Sequence, residues 1–316
     1  MRRLRGNDAV AIGFKETSEF FESLVHRLRE RGVTCAITSG MACVALGLAT
    51  QTKDCDVLCD PSSARTFLKV LCGSTFQGVH CAYRGRTTPP CDARWLRGGW
   101  TSHFEWSTPN GKLQLDAFGV PPRGSQSWQK TVAGDYVGMA SLAEMKQTDR
   151  DKDWPFVTGI GAKMIEAGDA RGWLYLFDSE LIRRLASRFP LPETIVRQRP
   201  VLSLISANRD LFFDALLAER EFWQELNRER LSVYSAARRP FVRELRKLRP
   251  SGAMDVMADH RLRVACARDH LPQRPIRDFG VERIIEDARK NVARRYHPEL
   301  LQWLPNVRPA FGELSN

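Results

Sequence analysis

No stretch of the chain stays apolar for the roughly 18–20 residues that crossing a bilayer demands. The longest uncharged run, which lies between Arg31 and Lys53, is interrupted by Thr38, Ser39, Gly40 and Gly47. A secretory core is missing too, because the basic start Met1-Arg2-Arg3-Leu4-Arg5 runs into Asn7 and Asp8 rather than into apolar residues. A cytoplasmic, membrane-free protein is expected. Internal repeats and low-complexity segments are absent, which excludes solenoid and fibrous architectures. Cys-x2-Cys pairs are absent as well, so the set Cys72, His80, Cys81 and Cys91 lacks the spacing of a zinc site. Seven of the eight cysteines lie between Cys35 and Cys91. Free thiols packed as small hydrophobic side chains are expected of them.

What is present describes a globular chain. With 316 residues, 43% of them hydrophobic and 27% charged, it can bury a sizeable core in one large domain or two modest ones. Its formal charge is +11, unevenly spread. Residues 1–178 hold 22 Lys and Arg against 19 Asp and Glu, a surplus of +3, while residues 179–316 hold 26 against 18, a surplus of +8. A basic second half attracts polyanions, and RNA is the partner such a field suits. A solvated arginine-rich surface satisfies the same charge count.

The apolar spacing predicts a helix over Glu16 to Arg31, ended by Gly32, and a short strand over Cys35 to Thr38 that stops at Ser39-Gly40. A small helix follows over Met41 to Leu48, then a strand over Asp54 to Cys59 and a helix opened by Pro61-Ser62-Ser63 that runs to about Leu71. Three further strands are expected over Phe76–Tyr83, Trp100–Ser107 and Lys112–Phe118, the last introduced by the turn Pro109-Asn110-Gly111. Pro121 to Ser125 reads as a loop, helices begin near Ser141 and Trp154, and from Leu181 onward almost everything reads as helix. Leu211–Leu231 and Val281–Tyr296 are the clearest amphipathic stretches. The expected fold class is α/β. A small mixed sheet with flanking helices over residues 1–178 is followed by a basic α-helical domain over residues 179–316, with the active site in the cleft between them.

The chemistry is concentrated in three pieces. Ile37-Thr38-Ser39-Gly40 is followed, thirteen residues on, by Asp54-Cys55-Asp56-Val57-Leu58, and much later by Leu113-Gln114-Leu115-Asp116-Ala117-Phe118. Strand side chains alternate, so Asp54 and Asp56 share a face while Cys55, Val57 and Cys59 take the other. Two carboxylates on one face repel unless a cation lies between them. Asp116, in a similarly apolar strand, supplies a third. If that strand lies beside Asp54–Cys59, three carboxylates converge on one patch, a hard-oxygen site suited to Mg²⁺ or Mn²⁺. Ser39-Gly40, where a strand runs into a helix, offers backbone N–H groups to a phosphate.

This arrangement resembles the DNA polymerase β-like nucleotidyltransferase superfamily, whose signature is an apolar strand ending in Gly-Gly or Gly-Ser, a short helix, an Asp-x-Asp pair and a later strand acid. It is most similar to the minimal bacterial branch of AbiEii-type toxins, which often carry Thr-x-Asp-x-Asp, here Thr52-Lys53-Asp54-Cys55-Asp56. Ser141-Leu142-Ala143-Glu144-Met145-Lys146, followed by Arg150, Lys152 and Asp153, looks like a further segment of that branch. Where relatives often have a basic residue two positions before the threonine, this chain has Thr50. The likeness spans roughly residues 33–170. It implies that Asp54 and Asp56 ligate Mg²⁺ or Mn²⁺, that Asp116 is the third ligand and handles the acceptor hydroxyl, and that Ser39, Gly40, Thr52, Lys53 and Lys146 hold an NTP such as ATP. It also implies a toxin role with an antitoxin protein as partner.

The leading expectation is therefore an enzyme moving a nucleoside monophosphate from an NTP to a hydroxyl of RNA, protein or a small molecule. The competing one is a non-catalytic protein of the same fold that binds nucleic acid or a protein partner. A structural metal-binding domain without nucleotide is a third. His80 and His103 carry no motif and are expected to be structural, and Arg150 with Asp153 reads as an ion pair flanking a helix.

Overall fold

The computed structural model of the protein describes residues 12–124, 132–248 and 254–315. The basic start Met1–Arg5 and Ser125 of the expected loop lie outside the described residues. In chain order the first half contains α1 (Phe14–Glu30), β1 (Cys35–Thr38), α2 (Ser39–Ala45), β2 (Cys55–Cys59), α3 (Ala64–Cys72), β3 (Thr75–Phe76), β4 (Val79–His80), β5 (Ala82–Tyr83), α4 (Ala93–Leu96), β6 (Thr101–Thr108) and β7 (Gly111–Phe118). It closes with β8 (Val132–Ala133), β9 (Tyr136–Val137), α5 (Met139–Lys146) and α6 (Trp154–Glu166). The second half is helical: α7 (Ser179–Ala186), α8 (Glu193–Gln198), α9 (Arg209–Leu248), α10 (Val256–His270), α11 (Pro275–Phe279) and α12 (Val281–Ala293). This is the expected α/β arrangement, a mixed sheet followed by helices. None of the helices in the described residues is long and apolar enough to cross a membrane.

The sheet has seven strands in the order β5-β6-β7-β2-β1-β9-β8. β2 runs parallel to β7 and antiparallel to β1, and β6–β7 is an antiparallel hairpin. Period-two alternation divides its residues. Ile37, Val57, Leu115, Phe104 and Trp106 enter one core together with Phe21, Leu24 and Leu28 of α1 and Phe67 and Leu71 of α3. Ala36 and Leu58, on the opposite face, pack with Ala42 of α2, Leu142 of α5 and Ile160 of α6. Cys55 and Cys59 are buried free thiols on the α1/α3 side, as their alternation predicts. Burial pushes the thiol of Cys91 up to about 12, which keeps it protonated and unreactive. α1 stops where Gly32, at φ 76°, turns its N–H back to the Arg29 carbonyl at 2.8 Å.

One expected strand is three pieces. Gln77 and Gly78 both adopt positive φ, 48° and 77°, so the chain reverses in the middle of Phe76–Tyr83. Two consecutive left-handed residues make a tight hairpin turn. β3 and β4 pair with each other, and only β5 reaches the main sheet. α9 also exceeds expectation: it continues past Leu231 to Leu248 and carries Pro240 in its interior.

The helices of the second half pack directly against the first. Val256 joins the sheet core. The indole N–H groups of Trp95 and Trp100 donate to the carbonyls of Leu271 and Pro272 at 3.0 and 2.8 Å. Tyr234 of α9 donates its hydroxyl to the Gly98 carbonyl at 2.8 Å.

Candidate active site

Register places the polar row. Asp56 lies opposite Thr38 on β1 and opposite Asp116 on β7, and Asp116 in turn lies opposite His103 on β6. Directly opposed residues project to the same face; β2 begins at Cys55 rather than at the expected Asp54, which precedes the strand and lines the same cavity. The row sits at the floor of a cavity of about 930 Å³ lined by Ser39, Gly40, Thr52, Asp54, Asp56, His103, Asp116 and Lys146, among others. Seven of the eight residues anticipated for the site meet there; Lys53 is exposed and does not line it.

The Asp-x-Asp pair is crowded. Asp56 has its pKa raised to about 7, chiefly by burial and then by the charges of Asp116 and Asp54. A hydrogen bond with Ser39 and the charge of Lys146 pull in the other direction without prevailing. Asp54 accepts a hydrogen bond from Thr52 Oγ1 at 3.2 Å. The rise of Asp56 has a consequence for metal-free protein. Its native pKa lies above the ordinary 3.8, so the folded state holds a proton that the unfolded chain has released. The associated stability is complete below about pH 4 and is lost as pH climbs to about 7, by at most about 4 kcal/mol. In chelator, urea midpoints should fall across that window, and Asp56→Asn should flatten the slope; an equally steep slope in the variant would refute the assignment.

The strand-to-helix bend is built differently from a plain phosphate cradle. Ser39 takes φ 54°, a left-handed conformation that a non-glycine residue adopts only under constraint. A Cβ on Gly40 would meet Thr52 Oγ1 at 2.3 Å and Thr52 Cβ at 2.9 Å. The glycine is required because Thr52 packs onto it, and Thr52 is the residue that bonds Asp54. α2 is only seven residues long, so its dipole is a small contribution to anion binding. Gly40→Ala should therefore cost about 1–3 kcal/mol by overpacking. Thr52→Ala in the same chain should restore part of the loss; additivity of the two changes in a double-mutant cycle would count against this contact.

Asp116 is held by two groups that sequence reasoning passed over. Arg84 Nη2 donates to Asp116 Oδ1 at 2.6 Å, and His103 Nδ1 lies 2.8 Å from the same oxygen. Arg84 also donates Nη1 to Gln114 Oε1 at 3.0 Å. The signal for His103 was available. Thr108 pairs with Gly111 across a two-residue turn, and counting back along the hairpin puts His103 opposite Asp116. Arg84 follows the short edge strand β5, and nothing in its local spacing announces it.

A cationic wall faces the carboxylates. Lys146, at the end of α5, is buried with Nζ 3.5 Å from Asp153 Oδ1 and 5.5 Å from the centre of the Phe156 ring. Asp153 also takes Arg150 at 2.6 Å, the anticipated ion pair. Burial opposes the charge on Asp153, but hydrogen bonding from Thr148 and the cations Lys146 and Arg150 hold its carboxyl below the usual range. Arg123, Arg230 and Arg238 complete the wall, the last two from one face of α9 together with Asn227, Leu231 and Tyr234.

Among the described residues, no three His, Cys, Asp or Glu side chains stand as a ready-made set around one metal ion. The donors nonetheless suit a divalent cation in kind. Asp54 and Asp56 offer hard carboxylate oxygens to one cavity, their crowding raises Asp56, and a cation relieves that crowding. Asp116 lies opposite Asp56 in register but is engaged by Arg84 and His103. No family model matches the chain, and neither a curated protein nor a solved structure does. The functional reading rests on the site.

Proposed function

We propose that the protein is a metal-dependent nucleotidyltransferase that transfers an NMP from an NTP to a hydroxyl acceptor. The observation that carries this reading is the row of Asp56 and Asp116 in cross-strand register, with Asp54 lining the same cavity beside Lys146 and arginines. Mg²⁺ or Mn²⁺ held by Asp54 and Asp56 would supply charge neutralisation and polarise the attacking hydroxyl. The chain's own residues position the reactants. Lys146 and Arg150 face the phosphates, Ser39 and Thr52 brace the two carboxylates, and Asp116, released by Arg84, takes the acceptor's proton. The acceptor oxygen bonds to the α-phosphorus, the bond to the bridging oxygen breaks, and pyrophosphate leaves. Positioning and electrostatics suffice for such a transfer.

The surplus of +8 over residues 179–316 favours RNA as the acceptor over a neutral small molecule, with a protein hydroxyl as the other macromolecular choice. An antitoxin partner follows from the AbiEii resemblance alone. Incubation with each labelled NTP, Mg²⁺ and total RNA or lysate tests the proposal, since transfer deposits label on one acceptor class and releases pyrophosphate. RNA binding should also weaken steeply between 50 and 200 mM salt, by roughly 10³-fold for six phosphate contacts; affinity unmoved by salt removes RNA from consideration.

One observation favours the second reading, a binding protein that kept the fold without the reaction: the Asp116 carboxylate is already engaged by Arg84 and His103. Thermal shifts separate the two. An NTP with Mg²⁺ that stabilises the wild type but neither Asp54→Asn nor Asp56→Asn supports the enzyme, and no shift with any NTP supports the binding protein.

A further inference from the structure

Opposite the carboxylate row, two arginines share one neutral oxygen. Arg123 Nη1 and Arg230 Nη2 each donate to Asn227 Oδ1 at 2.9 Å. Arg123 also donates to the carbonyls of Glu144 and Met145, which fixes its guanidinium against the end of α5. Arg230 is 6% exposed, and its Nε is buried with no hydrogen-bond partner. The neighbouring carboxylates are engaged elsewhere: Asp149 accepts from Asn227 Nδ2 at 2.5 Å, and Asp153 holds Lys146 and Arg150. Burial, followed by the proximity of Arg230, pushes Arg123 well below the usual arginine range, and the charges of Asp153 and Asp149 oppose this without prevailing.

Burying a guanidinium beside another, with an amide between them and a donor left over, is costly unless an anion completes the set. We infer that Arg123 and Arg230 form a phosphate-binding subsite entered from the main cavity. The small void behind them, lined by Trp223, Leu226 and Phe311, holds only about 20 Å³ and has no room for the ligand. Lys146, Arg150 and Arg238 line the same cavity and reinforce the preference for a multiply charged group. A tetrahedral phosphate supplies the charge and the several acceptor oxygens that two guanidinium forks require; a carboxylate supplies one charge and two oxygens. The phosphate belongs either to the nucleotide or to a phosphorylated acceptor. Its place in catalysis rests on the transfer reading above, but its existence does not.

Isothermal titration with inorganic phosphate, pyrophosphate and ATP, in chelator so that no turnover occurs, tests the subsite. Pyrophosphate should bind the wild type saturably and weaken by about tenfold or more in Arg230→Gln. Arg230→Lys, which keeps the charge without the fork, should lose less and serves if the glutamine variant does not fold. Asp56→Asn should bind pyrophosphate at least as well as the wild type, so the subsite survives even if no transfer is ever detected. Equal weakening of ATP and pyrophosphate by Arg230→Gln assigns the phosphate to the nucleotide; weakening of pyrophosphate with ATP unchanged assigns it to the acceptor. No saturable binding by the wild type, binding unchanged in both Arg230 variants, or acetate competing as well as phosphate would each overturn the proposal.

Discussion

Asp56→Asn should slow the proposed nucleotidyl transfer by two to three orders of magnitude and, in the same protein, raise the stability of the metal-free fold. Both expectations come from one fact, the crowding of Asp54 and Asp116 around a buried Asp56. Asp56 is opposite Asp116 in register and two residues from Asp54, and their charges together with burial lift it to about 7. Asparagine keeps the shape and removes the charge. Without that charge a divalent cation loses a ligand, and the loss of one positioned electrostatic group in a water-poor site costs roughly 10²–10³ in rate. Asp54→Asn should be as damaging to transfer, because each carboxylate of the pair would serve the cation. The stability gain is the distinguishing half. Relief of like-charge repulsion should raise the unfolding free energy of Asp56→Asn by about 1–3 kcal/mol at neutral pH in chelator. Transfer retained by either variant would sink the enzymatic reading, and destabilisation by Asp56→Asn would sink the electrostatic one.

Much of this site was legible in the residues themselves, and the reason is periodicity. Alternation in Cys55–Cys59 and in Leu113–Phe118 separates polar from apolar positions, so Asp56 and Asp116 each stand off the apolar face of their own strand before any pairing is known. Pairing between β2 and β7 could not be read the same way, since the two strands are more than fifty residues apart in the chain and only the fold brings them parallel. Arg84, Arg123 and Arg230 were hidden for a related reason. Each lies where no local repeat constrains its direction or its partner: after a two-residue strand, in a loop at positive φ, and on a helix whose other faces are also covered. Phe76–Tyr83 misled because two left-handed residues inside an otherwise strand-like run decide its shape, and Gln77 carries no signature for that conformation. Lys53 neighbours the motif but lies before β2, exposed and outside the cavity lining, where no strand alternation sets its direction.

The second half supports the site through α10. Arg263, fully buried on α10, pairs with Asp259 at 2.9 Å and donates to the carbonyls of Thr88 and Gly85 at 2.5 and 3.0 Å. Its guanidinium also lies 4.5 Å from the centre of the Tyr83 ring. Those contacts clasp the segment that begins with Arg84, the residue holding Asp116. Arg263→Met should therefore act twice. Removing the guanidinium beside the buried Asp259 carboxylate costs about 3–5 kcal/mol. Loosening the segment after Tyr83 also frees Arg84 from a fixed position, so Asp116 keeps His103 but loses its other tether and the cavity floor changes electrostatically. Urea denaturation should show one transition with a lowered midpoint if the halves unfold together, as the contacts of α10 with the sheet core imply. Adding Asp259→Leu should recover part of the loss, because an apolar pair of similar volume avoids the stranded charge. A two-step transition in which only the second half is destabilised would show that α10 leans on the sheet without stabilising it. In that case the hold on Arg84, and through it on Asp116, would come from the hairpin alone.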